Sequence, residues 1–242
     1  MHEPGLVAVP CLELVYSVFA LTLARLAQRL PAGSQIAFNT MSGGVDTKRN
    51  HLVQDWLLRE PALQWVLFVD SDQRIPADVV DRLLAHNVSI VGTVISKKRE
   101  AQVAVRPLAD DLVPAPVPHL EALTSKENAI TGAGDGRRSA RLRLGGLQRV
   151  EAIGTGCLLV RREVFEQLPA PWFVADRDGP TEGTCEDFSF CDKARAAGFP
   201  IYCDTSLVVG HLTVVAMTPT VHGTLAREAS TLGNGDIVAG TT

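Results

Sequence analysis

The sequence predicts an α/β fold in which a single mixed, mostly parallel sheet is flanked by helices. Short apolar runs of strand length alternate along the chain with amphipathic stretches of helical period. One run, Gln64–Asp70, is apolar almost throughout and ends in an acid, as expected for a central parallel strand that is covered on both faces. With 242 residues, 46% of them hydrophobic, the chain is long enough to build one sizeable core.

The first part of the chain supplies strands and helices in alternation. The strands are apolar runs, and each helix repeats apolar residues every three or four positions. Pro31 ends the first helix, and a glycine-containing loop at 42–44 precedes the second, in which we expect Leu52, Trp56 and Leu57 to be buried. In chain order the elements are the strand Leu6–Pro10, the helix Leu12–Leu30, the strand Gln35–Thr40, the helix Lys48–Glu60, the strand Gln64–Asp70, the helix Ala77–His86 and the strand Val88–Ile95.

Prolines and glycines replace the regular pattern between residues 100 and 146, which we interpret as an irregular insertion. Two short apolar stretches flank Gly145-Gly146 and predict a hairpin over 140–153. Later elements are the strand Cys157–Val160, the helix Arg162–Leu168, the helix Glu186–Ala197 closed by Gly198, and the strands Ile201–Asp204 and Leu207–Gly210. We therefore expect one domain over 1–216 and a C-terminal tail, rich in Gly, Thr and Ser, over 217–242.

Composition narrows the cellular setting. A net charge of −4 gives no electrostatic support for general binding to nucleic acids or membranes. The five cysteines include no CxxC pair, so a zinc site is not indicated and reduced, buried thiols are expected. The N-terminus lacks the pattern of a signal peptide, and the apolar segment Leu12–Leu30 is too polar to span a bilayer. A cytoplasmic protein without membrane attachment is the expectation.

The sharpest chemical signal is Asp70-Ser71-Asp72, directly after the apolar strand. Ligands of open α/β sheets collect outside the carboxyl ends of the strands. Two carboxylates at that edge suit a hard divalent cation that is shared with substrate phosphates. A D-x-D sequence without context is usually ordinary surface, and it is the preceding strand that favours a metal site here.

Cys185-Glu186-Asp187 opens the last predicted helix, and Gly210-His211 follows the last strand. Carboxylates at a helix start are favoured by the helix dipole whatever their function. In a functional interpretation one of them is a general base that takes a proton from an acceptor hydroxyl. His211 is a candidate metal ligand, although a histidine after glycine is more often a turn residue.

Two further segments are weaker candidates. Gly154-Thr155-Gly156 precedes a strand, and its glycines would let the backbone approach a sugar or phosphate closely. Arg49, in Lys48-Arg49-Asn50 near a predicted helix start, is suited to clamp a diphosphate. In isolation a tight turn and an exposed basic turn are the commoner explanations.

The order of these signals resembles that of the GT-A glycosyltransferases, in particular the small family-2-like enzymes of bacteria and phages. The similarity runs from Leu6 to His211 and omits the segment 100–146. It is carried in order by VAVP, KRNHLV, WVLFVDSDQRIPADVV, IVG, GTGCLLVRREVFEQL, CEDFSFCDKARAAGFPIYCD and VGH.

The resemblance implies a GT-A fold and a metal-dependent transfer of sugar from a UDP- or GDP-sugar to an acceptor hydroxyl. Asp72 would bind Mn²⁺ or Mg²⁺ on the donor diphosphate, His211 would complete the metal site, and Asp70 would lie near the metal and the donor ribose or sugar. Asp187 would be the catalytic base of an inverting reaction, with Glu186 positioning acceptor or donor. The implied donor-binding residues are Pro10, Arg49, Asp70, Ser71, Gly154, Thr155 and Gly156.

The acceptor is the least defined part of this expectation. The segment 100–146 would lie on the acceptor side, and the acceptor candidates are a modified DNA base, as in phage relatives, or a glycan. Two alternatives remain open on the sequence alone. A haloacid-dehalogenase-like phosphatase would use Asp70 as nucleophile and Asp72 as acid. A non-catalytic module that binds nucleotide-sugars is the other, because a fold alone does not fix an activity.

Overall fold

The computed structural model describes residues 2–95, 105–107, 112–113, 129–131, 139–143, 145–175 and 185–213. The chain through Leu212 forms one compact unit. The strands are β1 (Leu6–Pro10), β2 (Gln35–Asn39), β3 (Trp65–Val69), β4 (Gln73–Arg74), β5 (Ile90–Ile95), β6 (Val105–Pro107), β7 (Leu112–Val113), β8 (Ala129–Thr131), β9 (Ser139–Arg143), β10 (Leu147–Ile153), β11 (Cys157–Arg161) and β12 (Ile201–His211). The helices are α1 (Ser17–Ala27), α2 (Val45–Leu52), α3 (Val79–Ala85), α4 (Arg162–Gln167) and α5 (Glu186–Ala196).

A mixed sheet forms the centre of the protein, with strand order β2-β1-β3-β11-β5-β12-β10-β6 and with β4 paired to β12. Parallel ladders join β1 to β2 and β3, and β5 to β12. The remaining ladders are antiparallel: β11 lies between β3 and β5 and runs opposite to both, β10 runs opposite to β12 and β6, and β4 runs opposite to β12. The mixed sheet confirms the predicted fold class, but parallel pairs do not dominate it as expected.

Helices cover both faces of this sheet, and the strands show why. In β1, Leu6 and Ala8 face one hydrophobic cluster, whereas Val7 and Val9 face the other. Since successive strand residues point to opposite faces, an unbroken apolar strand has to be buried on both sides. The first cluster contains residues of α2, α4 and α5, and the second contains residues of α1 and α3.

Two predicted helices differ from the observed ones. The first begins at Ser17 rather than Leu12, and Leu12 and Leu14 are exposed, so these two leucines do not contribute to the core. The second continues beyond α2 as a π-helical turn over Val53–Leu57. Leu52 and Leu57 are buried as expected, but Trp56 is exposed, because a π-helical turn has more residues per turn and shifts the apolar face.

The carboxyl-terminal part agrees closely with the sequence pattern. Gly198 has a φ of +92° and follows α5, where its N–H donates to the carbonyl of Arg195 and closes the helix. The two predicted strands after it form one strand, β12, whose pairing with β5 shifts register between Asp204 and Val208.

The predicted hairpin over 140–153 is wrong in its pairing. Both strands form, but β9 pairs with β7 and β8 in a separate three-stranded sheet, whereas β10 pairs with β12 and β6 in the main sheet. The Gly145-Gly146 turn therefore connects two sheets. The rest of the 100–146 insertion and the tail 217–242 lie outside the described residues.

The five cysteines are free, and Cys185 is the exposed one. In the described part of the chain, no helix has both the length and the apolar composition to cross a bilayer.

Candidate active site

The candidate residues meet at one edge of the main sheet, at the carboxyl ends of β1, β3, β5 and β12. Asp70 follows β3, and its N–H donates to the carbonyl of Gly156 at 3.1 Å. Because β11 is antiparallel, its beginning rather than its end reaches this edge, and that brings Gly154-Thr155-Gly156 beside the D-x-D segment. Asp72 joins the same edge, since its carbonyl accepts from Leu212 N–H at 2.7 Å.

Arg49 lies at the centre of the site, with only 2% of its side chain exposed. Its Nη1 donates to Glu186 Oε1 at 2.7 Å and to Asp187 Oδ1 at 2.8 Å. Its Nη2 donates to Asp70 Oδ1 at 3.0 Å. One guanidinium from α2 thus connects the end of β3 to the first turn of α5.

The charges at this cluster are strongly perturbed. The pKa of Arg49 is raised, because three carboxylates outweigh the burial that would lower it, so the guanidinium is cationic. Burial raises the pKa of Asp70, and Arg49 offsets that rise only in part. Burial and the charge of Asp187 raise the pKa of Glu186. Three carboxylates share a single guanidinium, so its one positive charge offsets their mutual repulsion only in part.

Asp72 and His211 form a pair beside this cluster, with Oδ2 and Nε2 3.3 Å apart. Both side chains are about four-fifths buried. Among the described residues, no three His, Cys, Asp or Glu side chains converge as a complete metal-binding group. A carboxylate and an imidazole nevertheless fit an ion of the Mn²⁺ or Mg²⁺ class, which takes one or two protein ligands and fills its other positions with phosphate oxygens and water. Asp70, the third predicted ligand, is bonded to Arg49.

The Gly154-Thr155-Gly156 turn is buried and contacts the carboxylates directly. The hydroxyl of Thr155 donates to Oδ1 of Asp187. At Gly156, a Cβ atom would lie 3.1 Å from Oδ2 of Asp70, so the missing side chain makes room for that carboxylate. The Thr155 hydrogen bond and the close approach of Asp70 to Gly156 tie this turn to the acidic residues.

The sequence predicts that Arg49 clamps the donor diphosphate, and that role stays a prediction. In the structure its guanidinium is buried and bonded to carboxylates. Its observed geometry orients acidic side chains. Two other expected donor-binding residues lie at the predicted edge, with Pro10 buried at the end of β1 and Ser71 half-buried after β3.

Four supporting residues, Lys48, Asn50, Trp172 and Phe173, were assigned no role in the sequence analysis. Lys48 is buried, and its Nζ donates to the carbonyl of Cys11 at 2.6 Å. Asn50 bonds to the backbone of Trp172 and Phe173, and the Phe173 ring lies under Arg49. For Trp172-Phe173, the available sequence signal was two adjacent aromatic residues in a segment without predicted regular structure. Nothing in the sequence marks Lys48 as buried, because lysine is rarely so.

No protein-family model matches the chain, and no curated protein sequence matches it. Solved structures do match. A197 from STIV is similar with a TM-score of 0.58 and 15% sequence identity, covering 87% of this chain and 86% of that one. GalNAc-T7, solved with UDP, GalNAc and Mn²⁺, is similar with a TM-score of 0.54 and 12% identity, covering 88% of this chain. The chain has a GT-A fold.

The GT-A fold confirms that part of the sequence-based resemblance, whereas membership of family 2 stays a prediction. This chain spans 44% of the length of the GalNAc-T7 chain, and at such identity the likeness extends to the fold alone. What the chain does has to be argued from its own side chains.

Proposed function

We propose that this protein is a metal-dependent glycosyltransferase, which moves a sugar from a nucleotide-diphosphate sugar to an acceptor hydroxyl. The observation that carries the proposal is the cluster of Asp70, Glu186 and Asp187 around buried Arg49, next to Asp72 and His211, at the ligand-binding edge of a GT-A fold. Asp72, paired with His211, suits the donor end of a transfer reaction. Asp187, bonded to Arg49, suits the acceptor end.

Asp72 and His211 would hold Mn²⁺ or Mg²⁺ at the donor end. When bound, the ion supplies positive charge that stabilises the diphosphate leaving group. GalNAc-T7 was solved with UDP, GalNAc and Mn²⁺, which supports a UDP-sugar as the first donor to test, followed by a GDP-sugar. Pro10, Ser71 and the Gly154-Thr155-Gly156 turn would line the donor, and Arg49 would act through the carboxylates that it holds.

Asp187 would be the base at the acceptor end. Among the described residues, both hydrogen bonds to its carboxylate end on Oδ1, one from Arg49 and one from Thr155. These two bonds orient the carboxylate, and Oδ2 would be the oxygen that takes a proton from the attacking hydroxyl. A base acting directly on the acceptor corresponds to inversion at the anomeric carbon. Glu186 would position acceptor or donor.

For the acceptor we propose a hydroxyl of a glycan or of a modified DNA base, reached from the side of the 100–146 segment. We also propose residues 1–216 as the catalytic domain of a cytoplasmic enzyme. The net charge of −4 would not attract DNA from solution, so a DNA acceptor would have to be recognised by local contacts.

The test is a panel of UDP- and GDP-sugars with and without Mn²⁺, with two measurements. Thermal shift reports binding, because a ligand that binds only the folded state raises the melting temperature. Release of UDP or GDP, with water and then with glycan and DNA acceptors, reports turnover. Mn²⁺-dependent binding together with Asp187-dependent release supports the proposal.

Other outcomes of the same panel identify the alternatives. Binding without release for any acceptor would indicate a non-catalytic module. No nucleotide binding, together with hydrolysis of a phosphomonoester that depends on Asp70, would indicate the phosphatase.

A further inference from the structure

The ring of Phe173 lies under the guanidinium of Arg49. Phe173 is 1% exposed, and its ring centroid lies 5.9 Å from Cζ of Arg49. The same ring stacks on Phe190 of α5 at 4.7 Å and meets Phe68 of β3 edge-on at 5.2 Å. One side chain therefore contacts the helix that carries Asp187, the strand that precedes Asp70, and the guanidinium between them.

Asn50 fixes the backbone at this ring. Its Nδ2 donates to the carbonyl of Phe173 at 2.8 Å, and its Oδ1 accepts the N–H groups of Trp172 and Phe173 at 3.0 Å each. Asn50 follows Arg49 directly in α2. Of two adjacent residues in α2, Arg49 thus carries the guanidinium, and Asn50 anchors the Phe173 ring that lies under it.

The orientation of Arg49 depends on more than its carboxylates. Its Nε is buried and has no hydrogen-bond partner among the described residues. The face of an aromatic ring attracts a guanidinium and also limits its tilt. A tilt of the planar guanidinium would move its Nη atoms in opposite directions, away from Asp70 on one side and from Asp187 on the other.

We propose that Phe173, anchored by Asn50, is a positioning residue that sets the spacing between Asp70 and Asp187 through Arg49. The inference rests on the proposed function for its catalytic consequence, whereas its structural part concerns Arg49 alone. Phe173 touches neither acidic group in this scheme, and its effect on transfer passes through the guanidinium.

Phe165 offers a matched control. It is also 1% exposed, and it packs on the same two partners, with centroid distances of 6.3 Å to Phe68 and 5.7 Å to Phe190. The third partner of the Phe165 ring is Trp172, whereas the third partner of the Phe173 ring is the guanidinium of Arg49. Leucine at either position removes a ring from the same cluster, but at 173 alone it removes the surface under Arg49.

The experiment compares Phe173→Leu, Phe165→Leu and wild type by NMR of ¹⁵N-labelled arginine side chains. In wild type and Phe165→Leu, the Nη–H signals of Arg49 should be separate, because a held guanidinium rotates slowly. In Phe173→Leu they should merge or exchange rapidly with water. Asn50→Asp, which keeps the acceptor oxygen but loses the donor to Phe173, should give the same change in weaker form.

Kinetics form the second arm, with UDP and Mn²⁺ as the binding probe and the most active sugar nucleotide as the donor. Phe173→Leu should lower kcat about 10-fold or more with UDP affinity almost unchanged, and Phe165→Leu should stay within about twofold of wild type. Equal losses in the two leucine variants, or an unchanged Arg49 signal in Phe173→Leu, would overturn the inference. If wild type turns over no donor, the proposed function fails, while the NMR comparison still decides whether Phe173 positions Arg49.

Discussion

Arg49 and Asp187 are 138 positions apart in the chain, yet Nη1 of Arg49 donates to Oδ1 of Asp187 at 2.8 Å. The same guanidinium bonds to Asp70 through its other terminal nitrogen. The proposed base and the D-x-D segment are therefore held by one buried cation. A change at this residue should affect stability and chemistry together.

Replacing Arg49 by Met should destabilise the protein strongly. The variant would leave Asp70, Glu186 and Asp187 without their cation, and losing one partner of a buried ion pair costs about 3–5 kcal/mol. Urea unfolding at pH 7 measures the loss. Arg29→Met is the control, since Arg29 pairs with Asp81 at the surface and should cost no more than about 1 kcal/mol. Equal losses in the two variants would contradict a central role for Arg49.

Replacing Asp187 by Asn should abolish most transfer and preserve donor binding. An amide keeps an oxygen for Arg49 and Thr155 but takes no proton at neutral pH, so kcat should fall by about 10²–10⁴-fold. Turnover and the UDP-induced thermal shift are measured side by side. Asp192→Asn, on the exposed face of the same helix, should behave as wild type. Loss of UDP binding in parallel with kcat would instead assign Asp187 a structural role.

Replacing either Asp72 or His211 by Ala should remove the dependence of UDP binding on Mn²⁺. Each variant leaves one of two donors, and a hard cation needs both if it is to be held beside the diphosphate. The measurement is the difference in melting temperature with UDP, with and without Mn²⁺. Asp81→Ala controls for loss of an acidic side chain. A full Mn²⁺ effect in both variants would refute the assignment of this pair as ligands.

Replacing Gly156 by Ala should disturb Asp70. The new Cβ would lie 3.1 Å from Asp70 Oδ2, Gln73 Nε2 and Ile95 Cδ1, which is tighter than ordinary packing, and overpacking of this kind costs about 1–3 kcal/mol. At Gly146 an added Cβ meets nothing within 4 Å, so Gly146→Ala is the matched control. Denaturant unfolding and turnover are compared for both. Similar stability of the two variants would show that Asp70 is not confined by the turn.

Asp204 should make stability depend on pH in the acidic range. Its burial alone would raise its pKa, but hydrogen bonds from Ser206 and His86 outweigh burial and hold the pKa below its ordinary value. A carboxylate of this kind stabilises the folded state above its unfolded pKa, about 3.9 for Asp, and that contribution disappears as pH falls through the folded value.

Asp204→Asn should therefore cost about 1–3 kcal/mol at pH 7, and the difference from wild type should shrink as the pH is lowered below about 4. Urea unfolding at a series of pH values gives the two curves. Asp55→Asn, at an exposed ion pair with Arg59, should show almost no difference at any pH. A difference that stays constant down to acidic pH would contradict the lowered pKa.

Most of the fold was predictable because its strands are unusually regular. The strand β1 has the predicted bounds, and β3, β5, α4 and α5 lie within one or two residues of theirs. An apolar run between turn residues leaves the chain few alternatives to a buried strand. The antiparallel direction of β11 was not predictable, because hydrophobic periodicity carries no information on how neighbouring strands are oriented.

The candidate residues were identified from the sequence, but the roles of some were not. Asp70, Asp187 and Arg49 lie in recognisable motifs. The burial of Arg49, however, depends on the packing of α5 and β3 against α2. Phe173 had no motif at all. Long-range contacts of this kind follow from packing, which no local pattern encodes.

The reversed direction of β11 also separates two rims of the protein. Its first residue borders the carboxylates, whereas its last, Arg161, reaches the opposite rim, where its N–H donates to the carbonyl of Ser89. The helix α4 begins there, and Gln167 at its end is exposed. A tether or fluorophore attached at Gln167 would thus stand at the far side of the sheet from the proposed catalytic groups, a suitable handle for immobilising the protein with its candidate active site facing solution.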